Sequence, residues 1–387
     1  MTGSFDFAVV GRGMMGTACA RWLAEGGASV ALIGPDEPAD PRRHKAPFGS
    51  FHDAGRISRR IASSPDWALL AARSVDRYAA LETGGIPFFT PCGAMMAGPV
   101  AGPMAGFMAG VQATAHDIPH VRHDSNSAAH AFPGLNLPKG SLAVWEAGGG
   151  YIDPRAYRAA LERVAVARGA QVITHHATGL SGPKITLTDG SHVSAGHVVV
   201  ATGGYARTDG LLPARPAMRV YARTVTLARI SAVEAARLSS MPSLIYYPDG
   251  LAYDLYVLPP IRYPDGHFTV KIGGQDDSPL LETDAGMTAW FQSDGDAAAG
   301  AYLLDHLRAL MPGLAIDATR TAPCAVSFTA TDMPYIERLD DNLTLLTGGN
   351  GAAAKCADEL GRLGALAATG TGLSGEGYHA DFRAVLV

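Results

Sequence analysis

Six residues near the start of the chain, Gly11-Arg12-Gly13-Met14-Met15-Gly16, spell G-x-G-x-x-G. The pattern is weak alone, but here it follows an apolar run and opens an amphipathic one, as a dinucleotide site requires. Gly11 permits a tight turn, Gly13 lets the backbone approach a pyrophosphate, and Gly16 allows close packing of helix on strand. The helix start, with Met14 and Met15, offers free N–H groups and a positive dipole end to phosphates. An acidic residue is expected to end the second strand and hold a ribose, but Gly34 stands there. Asp36 or Glu37 is the nearest substitute. The fingerprint does not choose between a flavin and a nicotinamide dinucleotide.

Other residues carry chemistry by type and setting. Arg56 and Arg59 are three apart, so on a helix they can share a face. Lys271 sits in an apolar strand, where a lysine is costly to bury without a purpose. Lys355 stands near the start of a helix after a glycine loop. The four cysteines, Cys19, Cys92, Cys324 and Cys356, lie far apart with no C-x-x-C pair. A zinc site or a disulfide framework is therefore not expected, and no metal site is.

These residues must be held by particular elements. Residues 5–10 read as a buried strand, 14–25 as a helix and 29–33 as a second strand, the size of one βαβ unit. Residues 41–55 read as loop, and 56–81 as one long helix with a break near Pro65. Residues 86–97 read as strand, turn, strand. The methionine-rich stretch after them reads as a packed helix. Asp153 and Pro154 open another helix as N-cap and first helical residue, and Gly169 follows its end. Strands are expected at 171–174, 184–188 and 197–201. From there to about 321 the pattern is strand-rich, interrupted by one helix at 288–310. The tail returns to strand (343–347), glycine loop and helix (355–369). Alternating α/β segments thus bracket antiparallel ones.

The order of motifs resembles the D-amino-acid-oxidase superfamily of flavoproteins, and within it the monomeric sarcosine oxidase and N-methyl amino acid oxidase branch. Six pieces carry the resemblance in the family's order: SFHDAGRISRR at 50–60, GGGYIDPRAYRAAL at 148–161, VVVATGGY at 198–205, VKIGGQ at 270–275, APCAVSFTATDMPYI at 322–336 and TGGNGAAAKCADELG at 347–361. It covers nearly the whole length and is weakest at 100–136. It implies an α/β fold: a discontinuous Rossmann-type FAD-binding domain (1–85, 148–212, 323–387) with an inserted antiparallel-sheet substrate domain (86–147, 213–322).

The resemblance also implies roles. FAD is held by the glycine turn, Asp36, Ser50, Gly348 and Gly351, and covalently by Cys324 through a thioether. Arg56 and His52 sit by the flavin. Arg59 and Lys355 hold a substrate carboxylate, and Lys271 promotes O2 reduction. Two residues depart from the sarcosine type: Val326 replaces a tyrosine and Gln275 a histidine, both of which line the amine pocket. Tyr253 is a candidate pocket hydroxyl. The implied activity is oxidation of an amino acid or N-alkyl amino acid, with hydride transfer from its Cα to flavin, hydrolysis of the imine and reduction of O2 to H2O2. Two alternatives stand beside it: a dehydrogenase of the same fold that passes electrons to a carrier, and a flavin-binding subunit of a heteromeric oxidoreductase.

Bulk properties agree with a globular enzyme. The 387 residues exceed one ordinary core. The formal charge is -5 with no basic run, which gives no reason to expect a nucleic-acid partner. No 18 consecutive residues are apolar, so no membrane span is expected. The start lacks the pattern of a secretory signal, and a cytoplasmic monomer is the expectation.

Overall fold

The computed structural model describes residues 4–102, 104–208, 210–251, 253–274 and 278–387. Its first sheet is built on three parallel strands. Ser4–Val10 lies between Val30–Ile33 and His192–Val200. Gln171–Ile173 extends it beyond Val30–Ile33, and Leu343–Thr347 runs parallel to the end of His192–Val200. Strands buried on both faces need continuous apolar runs; Val30–Ile33 and Leu343–Thr347 are buried at every position.

Helix Met14–Glu25 packs between Ala353–Ala368 and Pro154–Ala167. The first crossing depends on Gly361, because a Cβ there would stand 2.4 Å from Ala18 Cβ and 2.5 Å from Cys19 N. Asp153 caps Pro154–Ala167 by accepting from Arg155 N and Ala156 N, with proline in its first turn, as expected from the sequence.

The second sheet has eight strands. Their order is Ala318–Thr329, Met218–Ile230, Phe268–Gly273, Leu255–Arg262, Ser243–Tyr246, Ala94–Pro99, Ser141–Glu146 and Val121–Asp124. All pairs are antiparallel except Ser243–Tyr246 with Ala94–Pro99. The whole of Ala318–Thr329 belongs to it, so a domain boundary drawn at residue 323 cuts a strand. Met95, Met96 and Met108 are fully buried and pack as core.

Two expectations fail locally. Residues 56–81 are not one helix. Arg56–Ser58 is a strand that pairs antiparallel with Gly150–Ile152 in a three-stranded sheet, and helices cover only Pro65–Val75 and Tyr78–Glu82. Ser64 caps the first of these, and a proline in its first turn cannot donate backward to continue a helix from residue 56. The helix expected at 288–310 is two, Asp284–Gln292 and Ala297–Leu310. Gly295 takes φ +80° between them, and Asp296 starts the second by accepting from Ala299 N at 2.7 Å.

Candidate active site

A cavity of about 320 Å³ runs from the glycine turn of the first sheet to the edge of the second. At one end Gly11 takes φ +117°, and a Cβ there would stand 2.2 Å from Ala201 O. Gly16 is tighter: its Cβ would meet Gly11 O at 1.9 Å. Helix Met14–Glu25 begins at Gly13 with no side-chain cap, and Met14 and Met15 line the cavity. Helix Ala353–Ala368 is also uncapped at Ala352 and presents Ala353 and Ala354 to the same cavity. Two helix starts without side-chain caps facing one elongated space suit a long phosphate-bearing ligand. Ser50, Gly348 and Gly351 are on its wall. These features fit the FAD implied by the sequence.

The ribose end departs from the expected pattern. A Cβ at Gly34 would lie 2.6 Å from Arg12 Cβ, so no acidic side chain fits there. Asp36 accepts from Arg12 Nη1 at 2.5 Å and Glu37 from Arg155 Nη2 at 2.7 Å. Arg12 is also gripped by Glu162. Arg12 and His176, rather than Asp36, are the polar side chains on this part of the wall.

At the other end residues 50–55 form a turn and the strand Arg56–Ser58 that follows is tied to Gly150–Ile152. Arg56 and Arg59 are therefore not neighbours on a helix face. Arg56 turns into the cavity wall. Its guanidinium donates to Asp53, to Ser50 O at 2.7 Å and to Gly55 O at 3.0 Å, and Nη2 stands 3.8 Å from Cys324 Sγ. Burial works against its charge, and Asp53 more than restores it, leaving its pKa above the ordinary value. Cys324 lines the cavity from strand Ala318–Thr329, where its carbonyl accepts from Trp290 Nε1 at 2.7 Å.

Lys271 has no exposed surface. Its strand neighbours are Leu227 and Leu258. Nζ donates to Asp53 Oδ2 at 2.6 Å and to Gly55 O at 3.1 Å. Burial lowers its pKa, as does the nearby Arg56, against the pull of Asp53. Burial alone would raise the Asp53 carboxyl, but Lys271 and Arg56 hold it far below the usual carboxylate range. Asp53 was not among the residues singled out from sequence. A buried lysine needs a counter-charge, and the acidic residue between His52 and Arg56 was the available signal.

His52 lies on the cavity wall, edge-on to Phe48 and Phe51, with Nδ1 buried and without a hydrogen-bond partner. Burial lowers its pKa to about 4, so the imidazole is neutral near pH 7.

Arg59 and Lys355 converge from opposite ends of the chain, each within electrostatic reach of the other. Arg59 gives Nη1 to Ile61 O, and its Nε is buried without a partner. Lys355 is buried and donates to Ala352 O at 2.9 Å. Burial brings its pKa down to about 8. Among the described residues no carboxylate forms an ion pair with either. Glu146, also missed in the sequence, fixes the backbone beside Arg59 by accepting from Arg60 N at 2.9 Å and Ile61 N at 3.0 Å. Val326 lines the cavity. Tyr253 does not; its hydroxyl meets that of Tyr302 and its ring packs on the core of the second sheet. The tyrosine on the cavity wall is Tyr205, and the tyrosine ring nearest Lys271 is that of Tyr256, 5.2 Å from Nζ. Tyr253 precedes the strand that turns Tyr256 toward Lys271. Gln275 lies outside the described residues.

Known proteins resemble this chain in sequence and in fold. Residues 6–366 match a family described as FAD dependent oxidoreductase. The chain is 24% identical over 373 residues to N-methyl-L-tryptophan oxidase of Yersinia pestis (strain Pestoides F), covering 94% of both. The open form of NikD, described as an unusual amino acid oxidase essential for nikkomycin biosynthesis, superposes with a TM-score of 0.78 at 23% identity, over 100% of this chain and 99% of that one. L-proline dehydrogenase from P. horikoshii superposes with a TM-score of 0.73 at 17% identity, over 97% and 96%. No helix among the described residues is long and apolar enough to cross a membrane.

Proposed function

We propose, from the premise that the chain belongs to the FAD dependent oxidoreductase family, that it oxidises an amino acid or N-alkyl amino acid at its Cα–N bond. The observation that carries this reading is the convergence of Arg59 and Lys355. One offers a planar fork and the other a point charge, and among the described residues neither has a carboxylate bonded to it. A carboxylate of the substrate is the natural partner for the pair.

When bound, FAD supplies the acceptor for the hydride that leaves the substrate Cα. The protein's own residues do the rest. Arg59 and Lys355 fix the carboxylate end, and Val326 shapes the amine side, together with Gln275 on the family resemblance. His52, neutral near pH 7, presents a polar ring to the cavity without adding charge. The imine product is hydrolysed by water. In the oxidase reading O2 takes two electrons and two protons to become H2O2, and Lys271 provides the fixed cation that favours a developing superoxide. Cys324 would hold the cofactor by a thioether. Closing that bond would be an oxidation, with its two electrons and two protons taken up by O2.

The nearest competing reading is a dehydrogenase of this fold that passes electrons to a carrier. The complete burial of Lys271 behind Asp53 is the observation in its favour. The test is to purify the chain and assay a panel of N-methyl and cyclic amino acids for both peroxide release and dye reduction. Peroxide in step with substrate loss supports the oxidase. Dye reduction without peroxide supports the dehydrogenase. Neither activity without an added protein would mean a subunit that works only with a partner.

A further inference from the structure

We propose that Asp53 is the positioning residue for Lys271: its carboxylate fixes the ammonium in place and keeps it charged beside the cavity. The proposal rests on the reading of Lys271 as the cation that serves O2 reduction.

The geometry is specific. Oδ2 of Asp53 takes Lys271 Nζ at 2.6 Å and also accepts from Arg56. Oδ1 accepts from Ala54 N at 2.7 Å and from Tyr263 Oη at 3.2 Å. Both oxygens are thus committed, and the carboxylate cannot swing away. Lys271 itself has two acceptors, Asp53 and Gly55 O, so its direction is set.

The surroundings make this carboxylate decisive. Lys271 is flanked along the sheet by Leu227 and Leu258, which offer no charge. The titratable and charged groups that face it are few. Arg56 comes from strand Arg56–Ser58 of the three-stranded sheet and repels it, while Cys324 on Ala318–Thr329 favours its charge. Tyr256 on Leu255–Arg262 offers a ring face, and Tyr263 reaches only Asp53. Asp53 is therefore the one carboxylate bonded to Lys271 among the described residues. Without it, burial and Arg56 would both push the lysine toward its neutral form, which cannot stabilise a developing anion. Arg56, which lines the cavity, shares the same oxygen, so one side chain sets the placement of both cations.

The test follows the rate of reoxidation by O2 against pH, by stopped flow, on purified flavin-loaded protein. Asp53→Asn keeps the shape and removes the charge. The pH above which reoxidation slows should fall by about 1–3 units, the size of effect an opposite charge at this distance exerts. Reduction by substrate should change much less. Lys271→Met should slow reoxidation by about 10²–10³. Adding Asp53→Asn to Lys271→Met should then leave the residual pH profile unshifted, with only the smaller effect that passes through Arg56, which a merely structural role would not predict. If Asp53→Asn does not fold, Tyr263→Phe removes one bond to Oδ1 and should move the profile the same way by less. Slow Lys271→Met beside an unshifted Asp53→Asn, or beside an unshifted Tyr263→Phe where Asp53→Asn does not fold, would overturn the proposal alone. Lys271→Met that reoxidises like the parent would overturn the oxygen reading and the proposal with it.

Discussion

Arg56 Nη2 stands 3.8 Å from Cys324 Sγ on the wall of one cavity. A fixed cation beside a sulfur is what a nucleophilic thiolate needs. The two residues come from different sheets, Arg56 from the small three-stranded one and Cys324 from the second large one. The expected outcome is a covalent flavin. Acid precipitation should leave the colour in the pellet, and mass spectrometry should find the flavin on the peptide that holds Cys324. A yellow supernatant over an unmodified chain would contradict it. Cys324→Ala should still fold, because the glycine turn at the far end of the cavity is untouched.

Lys355 carries a pH signature. Burial brings its pKa to about 8. Below that pH the ammonium is charged and ready for a carboxylate. Above it, binding an anion requires uptake of a proton, so the dissociation constant of a simple carboxylate inhibitor should rise as pH climbs past about 8. The limiting slope is about tenfold per pH unit. Titration of the flavin absorbance with such an inhibitor from pH 6 to 10 measures it. Lys355→Met should bind more weakly and lose this rise.

A second pH effect belongs to stability. Glu359 is fully buried, and burial alone would raise its pKa. Arg362 at 2.8 Å, Arg77 at 2.6 Å and Tyr378 at 2.8 Å override that and hold it at about 2. Its ordinary value is 4.5. A depressed carboxylate contributes stability that is present above the unfolded value and is lost as pH falls from about 4.5 toward 2. The contribution is on the order of 3 kcal/mol. Thermal unfolding of Glu359→Gln and the parent should differ strongly at pH 7 and converge as pH falls to about 2. A constant difference would show that the ion network is not its source.

Much of this site was legible in the sequence. Gly11 and Gly16 announced a turn with no room for a side chain, and Asp153-Pro154 announced a helix start. Both depend on local backbone chemistry. Arg56 and Arg59 were misplaced on a helix because their segment is held extended by Gly150–Ile152, a partner far away in sequence. The role of Asp53 was hidden for a similar reason: its charge matters only once Lys271, on another sheet, is brought against it. Tyr253 and Tyr256 differ in where the strand begins, which spacing alone does not fix.

The carboxylate clamp makes a quantitative claim. Removing one charged partner of a buried contact costs about 2–5 kcal/mol, so Arg59→Met or Lys355→Met should raise the dissociation constant of substrate by roughly 30-fold or more. Rapid-mixing measurement of flavin reduction against substrate concentration gives that constant directly. A change of less than a few fold in both variants would remove the clamp from the account.

The most direct test compares an accepted N-alkyl amino acid with the amine left when its carboxylate is removed, same side chain and same nitrogen substituent. The measurement is kcat/KM for each on the purified flavin-loaded protein, followed by peroxide release or dye reduction. The amino acid should react at least 30-fold better, reflecting the two cations that hold its carboxylate. Equal values for the pair would contradict the assignment and make the protein an oxidoreductase of plain amines.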